Sequence, residues 1–298
     1  MPTKKNCILY LVRTSPDDLE MLNASLASLD EHVLPSLEAG ADIILFHEAS
    51  FDEQYRAQVK PVRTGAILFQ EIAFTLSEYP EDITKNIPVL FPHPTHAHPG
   101  FGMGYRHMCD FFSGSMYDQP ILQNYEYYLR LDTDSFILSK IPFDIFAWMQ
   151  SHDCEYAFIE PALQQDHPKV IEGLWSETQQ WLQASHVQTQ VPLATLPEGM
   201  MFYTNFEMGK VSSFSKGSEY YRFYSFIKST GNIFIRRWGD APIKYLGVNL
   251  FIRPGAIRPI HGFIYKHGGT YDLYGYKKTF PWNILPHRLS RWLEKKLG

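Results

Sequence analysis

Apolar positions along this chain form short unbroken runs, separated by stretches in which they recur every three or four residues. CILYLVR (residues 7–13) and ADIILFHEA (41–49) are runs of the first kind, the pattern of strands buried on both faces. Between them, SPDDLEMLNASLASLDEHVLPSLEAG opens with Ser15 as N-cap and Pro16 at the first helical position and closes at Gly40, which predicts one long helix. FDEQYRAQV (51–59) predicts a short helix. Residues 88–104 are broken by proline and glycine, and Pro-His repeats there place His93, His96 and His98 in a loop that reads as unliganded. YRHMCDFFSGSMYDQPILQ then resumes helical spacing through Met108, Phe112 and Met116, and YEYYLRL (125–131) reads as a strand rich in Tyr and Leu. The alternation continues with a helix over 141–150, a strand over 154–160, a helix over 169–186, a strand over 199–208, and helices over 218–231 and 239–251. This order predicts an α/β fold whose mainly parallel sheet carries helices on both faces, with ligands bound beyond the carboxyl ends of the strands.

Composition narrows the function classes. With 298 residues, 45% apolar and 15% aromatic, the chain can bury a large core. No internal repeat or low-complexity linker divides it, so residues 1–298 are expected to be a single domain. A soft boundary near Ser139 would separate a nucleotide-binding half (1–138) from an acceptor-binding half (139–298). A net charge of -5 and a pI near 6.2 supply no basic field, so a nucleic-acid partner is not expected. Cys7, Cys109 and Cys154 lack paired spacing, which argues against a disulfide framework or structural zinc and for a reducing compartment, the cytoplasm. The apolar run before Arg13 is too short for a signal peptide, and no stretch reaches the roughly 18 apolar residues of a membrane span. The tail PHRLSRWLEKKLG carries Leu289, Trp292, Leu293 and Leu297 near helical spacing among basic residues, which predicts a C-terminal capping helix with peripheral membrane contact as the alternative.

The candidate chemistry starts at LDTDSF. A strand that ends in Asp-Thr-Asp delivers Asp132 and Asp134 to the sheet edge. Such a pair can hold a divalent cation between the phosphates of a nucleotide sugar, because hard carboxylate oxygens suit Mg²⁺ or Mn²⁺. A plain turn capped by Asp is the competing reading. No Walker-type loop exists, and GFGMG follows a loop and not the first strand, which speaks against NTPase and dinucleotide folds.

MGYRHMCDFFSG (103–114), LRLDTDSF (129–136), YTNFEM (203–208), RRWGDAPI (236–243) and IHGFIYKHGG (260–269) together resemble, in this order, the blocks of glycosyltransferase family 15, the fungal α-1,2-mannosyltransferases. The likeness runs from about residue 7 to 270. It implies a GT-A glycosyltransferase fold, a Rossmann-like mixed sheet flanked by helices. It also implies GDP-mannose as donor, Mn²⁺ (or Mg²⁺) as cofactor, and transfer with retention to a hydroxyl of a mannose-containing glycan or glycolipid acceptor. By the same resemblance Asp132 (a Glu in the family), Asp134 and His267 are the metal ligands. Glu207 is the nucleophile or charge-stabilising carboxylate, with Asn205 on the same strand face to orient sugar hydroxyls. Asp240 is an acid near the donor site and also a good helix N-cap. Tyr105 and Arg106 open the helix after the glycine loop within reach of a diphosphate, and Arg13 ends the first strand where the family also carries Arg.

The departures matter as well. Asp110 replaces a family Arg beside the site, the residues before Glu207 lack the usual Cys-His-x-Trp, and a divergent member without the family's membrane anchor and stem is expected. A GT-A transferase using another nucleotide sugar and an inactive carbohydrate-binding module are the alternatives.

Overall fold

A computed structural model of the protein describes residues 5–63, 65–89, 101–159 and 164–268. The segment with His93, His96 and His98 and the tail expected to form a basic C-terminal helix lie outside the described residues. The strands are β1 (Lys5–Val12), β2 (Asp42–His47), β3 (Ile67–Glu71), β4 (Tyr125–Leu131), β5 (Ser135–Ile137), β6 (Tyr156–Ile159), β7 (Gln164–Gln165), β8 (Met200–Met201), β9 (Phe206–Lys210), β10 (Ile257–Ile260) and β11 (Tyr265–His267). The helices are α1 (Pro16–His32), α2 (Glu53–Arg56), α3 (Glu81–Thr84), α4 (Met103–Ser113), α5 (Ile145–Ser151), α6 (Leu174–Ser185), α7 (Val211–Phe214), α8 (Glu219–Thr230), α9 (Asn232–Ile235) and α10 (Asp240–Phe251).

A seven-stranded sheet in the order β10-β6-β9-β4-β1-β2-β3 forms the centre. All neighbours are parallel except β9, which runs antiparallel to β4 and β6, so the sheet is mixed. The chain builds outward from β1 to β3 and then returns to lay β4 on the other side of β1. That reversal opens a crevice at the carboxyl ends of β1 and β4, the place where open α/β sheets bind ligands.

Alternation along the strands sends side chains into two cores, which is why the runs look uniformly apolar. Ile8, Tyr10, Ile43, Leu45 and Leu129 pack under α1 and α5, against Leu22, Leu26, Leu29 and Ile145. Cys7, Leu9, Ile44, Phe46 and Tyr128 pack on the opposite face against α4, α8 and α10. Gly247 lets α10 approach α8 closely, since a Cβ there would sit 2.5 Å from the Tyr220 ring. Arg130 and Glu207 point to this second face and carry charge into an apolar layer.

Two of the differences from the pattern-based expectation have a clear local cause. Ser15 caps α1 as expected, its side chain accepting from the Asp18 N–H, but the helix ends at His32 and not at Gly40. Pro35 lacks the N–H that a continued helix needs, and a 3-10 turn at Leu34–Ser36 takes over. The single strand expected over 199–208 splits in two, because β8 pairs with β7 in a separate ribbon while β9 enters the main sheet.

Candidate active site

The turn after β4 is held on three sides. The Asp132 N–H donates to the Ser135 hydroxyl (3.2 Å), and the Ser135 N–H returns to the Asp132 carbonyl (3.0 Å). The Thr133 hydroxyl donates to Asp18 Oδ1 (2.9 Å), tying the turn to the start of α1. β11 pairs antiparallel with β5 in a register that sets His267 opposite Ser135, and the Gly268 N–H donates to the Asp134 carbonyl (3.0 Å).

These restraints bring Asp132, Asp134 and His267 together, with one ligand atom from each lying within 4.8 Å of the others. His267 Nε2 is 3.1 Å from Asp134 Oδ1 and 3.5 Å from Asp132 Oδ2, and all three side chains keep about a quarter of their surface exposed. Burial alone would lower the His267 pKa, but the two carboxylates outweigh it and lift it to about 9. Burial opposes the charge on Asp132, yet Arg130 and then His267 bring its carboxyl down to about 2. Two carboxylates and an imidazole converging with solvent on one side are a donor set that suits Mn²⁺ and leaves positions for phosphate oxygens. The shorter side chain of Asp132 still reaches the group.

Behind the cluster lies a buried charge network that sequence reasoning missed in part. Arg130, with 2% side-chain exposure, donates from Nη1 to Asp240 Oδ2 (2.6 Å) and from Nη2 to Asp132 Oδ1 (3.1 Å), and its Nη1 lies 4.0 Å from Glu207 Oε1. Its guanidinium rests 3.4 Å from the Phe112 ring centroid. Burial would discourage its charge; Asp132, Asp240 and Glu207 hold it on. Arg130 and Glu207 are direct cross-strand neighbours on β4 and β9. Asp240 and Lys244, one turn apart on α10, close the network from above. The sequence signal for both cations was present, a charged residue inside YYLRLD and another inside PIKYLGV.

Glu207 is fully buried in a central strand. Its Oε2 accepts from the Tyr156 hydroxyl (2.9 Å), and its Oε1 faces Lys244 Nζ at 3.6 Å. Burial raises its pKa, with Lys244 and Arg130 offsetting part of the rise. Asn205 does not share a strand face with it, because β9 starts one residue later. Instead Asn205 Oδ1 accepts from the Tyr265 hydroxyl (2.7 Å) and the Asn205 carbonyl accepts from Ser135 (3.1 Å), so this residue braces the Asp132 turn.

A cleft of about 370 Å³ opens at the carboxyl ends of β1 and β4, with Leu11, Phe74 and Phe112 on an apolar side and Arg13, Tyr105, Asp132 and Asp134 on a polar side. Arg13 pairs with Asp18 (3.2 Å) at the rim and stays largely exposed. The Tyr105 hydroxyl accepts from Arg237 Nη2 (3.0 Å), and Arg237 itself stacks 4.2 Å from the Phe101 ring centroid on a left-handed backbone (φ 65), a conformation rare for a side-chain-bearing residue. Arg106 does not fit its expected place. It is 0% exposed, and it donates to the backbone carbonyls of Pro88 (2.7 Å), Phe234 (3.0 Å) and Phe101 (3.1 Å). Alternation around the helix turns Tyr105 to the cleft and Arg106 away from it, so Arg106 fastens α4 to its neighbours and does not face a diphosphate.

An O-glycoside alpha-1,2-mannosyltransferase of Schizosaccharomyces pombe is 32% identical over 175 residues, 56% of this chain and 44% of that protein. Glycolipid 2-alpha-mannosyltransferase 1 of Candida albicans is 27% identical over 223 residues, 71% of this chain and 51% of the relative. The chain thus spans about half the length of these curated relatives. Core-mannan synthase A from Aspergillus fumigatus, solved in a Mn/GDP form, superposes with a TM-score of 0.74 at 21% identity, covering 89% of this chain and 75% of the other. The mannosyltransferase Ktr4p of Saccharomyces cerevisiae in complex with GDP gives 0.73 at 21% identity, covering 89% and 71%. These likenesses establish the GT-A fold. Among the described residues no helix is long and apolar enough to cross a membrane. The family described as glycolipid 2-alpha-mannosyltransferase matches residues 2–275, nearly the whole chain, and the protein belongs to that family.

Proposed function

We propose that the protein is a metal-dependent, retaining α-mannosyltransferase that moves mannose from GDP-mannose to a hydroxyl of a mannose-containing glycan or glycolipid. The observation that carries this reading is the convergence of Asp132, Asp134 and His267 at the carboxyl end of β4, joined through Arg130 to Asp240 and Glu207. Relatives named as mannosyltransferases, and fold neighbours solved with GDP or with Mn and GDP, support the donor and the cation.

A cation held by Asp132, Asp134 and His267 would neutralise charge on the leaving diphosphate. The other roles fall to the chain. Tyr105 and Arg13, on the polar side of the cleft, hydrogen-bond and neutralise the diphosphate from the rim. Arg130 fixes Asp132 in place and saturates Asp240 Oδ2, which also accepts from the Thr204 hydroxyl (2.9 Å), leaving Oδ1 as the acceptor for a sugar hydroxyl. Glu207 supplies negative charge beneath the sugar as positive charge develops at the anomeric carbon. Its burial favours this stabilising role over a covalent adduct, since neither oxygen is exposed to the cleft.

Incubation with GDP-mannose, Mn²⁺ and an α-mannoside, followed by proton NMR of the product, tests the reading. An α-linked mannose is the expected result. A β-linkage would end the retaining assignment.

A further inference from the structure

Lys244 has no part in the chemistry above, yet its surroundings are unusual for a lysine. It is 0% exposed inside helix α10, flanked along the chain by the buried Ile243 and Tyr245. Its Nζ donates to the Tyr117 hydroxyl (2.9 Å), lies 3.6 Å from Glu207 Oε1, and sits about equally far from three rings, 5.1 Å from Tyr117, 5.0 Å from Phe214 and 5.1 Å from Tyr220. Aromatic faces stabilise an ammonium that has left water, and a nearby carboxylate does so more strongly. Glu207 Oε1 is correspondingly buried without a hydrogen bond of its own, so the ammonium is its main electrostatic partner, closer than Arg130 at 4.0 Å.

We propose that Lys244 is a positioning residue, a buried ammonium that keeps Glu207 ionised and its Oε1 turned toward the network. The inference rests on the catalytic reading of Glu207 only for its effect on turnover. Of the remaining groups around Glu207 only Arg130 adds positive charge, and it does so from farther away, at 4.0 Å. Arg130 on β4 is shared with Asp132 and Asp240, Asp240 on α10 is itself an anion, and Tyr156 on β6, Tyr128 on β4, Tyr117 on the 3-10 turn after α4 and Tyr220 on α8 are neutral phenols. Burial drives Glu207 toward its protonated form and Lys244 toward its neutral form, and each opposes the other's loss of charge. Without the ammonium, the balance for Glu207 moves toward its protonated form.

The sign follows directly. Loss of a cation raises the carboxyl pKa further, so in Lys244→Met the acid limb of the kcat profile should move to higher pH by about one unit or more, a tenfold change in ionised fraction. KM for the donor should hold, and kcat should recover on the alkaline side. A loss of the same factor at every pH, with no protonated-carboxyl band in the spectra described next, would overturn the proposal. Infrared difference spectra between acidic and alkaline buffer provide a readout independent of turnover. A protonated-carboxyl band should appear in Lys244→Met at a pH where the parent shows none, and vanish when Glu207→Gln is added. Absence of that band overturns the proposal; its presence with an unmoved kcat profile upholds the pairing and removes Glu207 from catalysis. Should Lys244→Met fail to fold, NMR of labelled lysine side chains in Glu207→Gln serves instead. There the Lys244 titration should shift to lower pH, and an unchanged titration refutes the pairing.

Discussion

Replacing Arg130 by methionine removes the cation that three carboxylates share, and the structure sets the size of the effect. The guanidinium is nearly inaccessible and meets Asp240 at 2.6 Å, Asp132 at 3.1 Å and Glu207 at 4.0 Å. Methionine roughly preserves the volume against Phe112, so the loss is electrostatic and not a cavity. Breaking a buried pair by removing one partner costs roughly 3–5 kcal/mol, because the anion left behind has lost both water and its counter-charge. At roughly 2–4 °C per kcal/mol for a domain of this class, Tm should fall on the order of 10 °C. The deficit should be largest at neutral pH and shrink in acid. Glu207, whose pKa burial already raises, then binds a proton and no longer needs the cation. Urea unfolding followed by tryptophan fluorescence at neutral and mildly acidic pH measures both effects. Adding Asp240→Asn to the variant should recover stability, with a coupling of roughly 2 kcal/mol or more in the double-mutant cycle. An Arg130→Met protein within about 1 kcal/mol of the parent, or strictly additive substitutions, would refute the shared-cation network.

Two further outcomes are expected. Asp134→Asn removes one of the converging carboxylates at a half-buried position while keeping its shape, so it should abolish Mn²⁺-dependent GDP binding in calorimetry while leaving the unfolding midpoint close to the parent's; unchanged affinity would separate the cluster from metal binding. Glu207→Gln should lower kcat about 100-fold or more, at least roughly 2.7 kcal/mol of barrier, with KM for the donor little changed, and near-normal kcat would assign Glu207 to structure alone.

The buried strands β1, β2 and β4 and the start of α1 were legible because continuous apolar runs and an Ser-Pro cap have few other readings. β3, β10 and β11 were not read as strands. ILFQE and IRPI are too short and mixed to stand out, and YKH becomes a strand only by pairing with β5. Asp132, Asp134 and His267 were found together through the resemblance, whereas Arg130 and Lys244 were passed over although each is a charge inside an apolar run. Their importance depends on long-range geometry, the register that puts Arg130 opposite Glu207 and the angle at which α10 meets the sheet. Arg106 shows the converse. Its position beside Tyr105 suggested a shared role, but adjacent residues on a helix face about 100° apart, and only Tyr105 reaches the cleft.

The most direct measurement is nucleotide release from a panel of GDP- and UDP-sugars, each with Mn²⁺ and again with the metal chelated. GDP-mannose should turn over fastest, above GDP-fucose, UDP-glucose and UDP-galactose, and chelation should stop it. Preference for a UDP-sugar would contradict the mannosyl donor while sparing the fold, and sugar binding with no metal-dependent nucleotide release would contradict transfer itself.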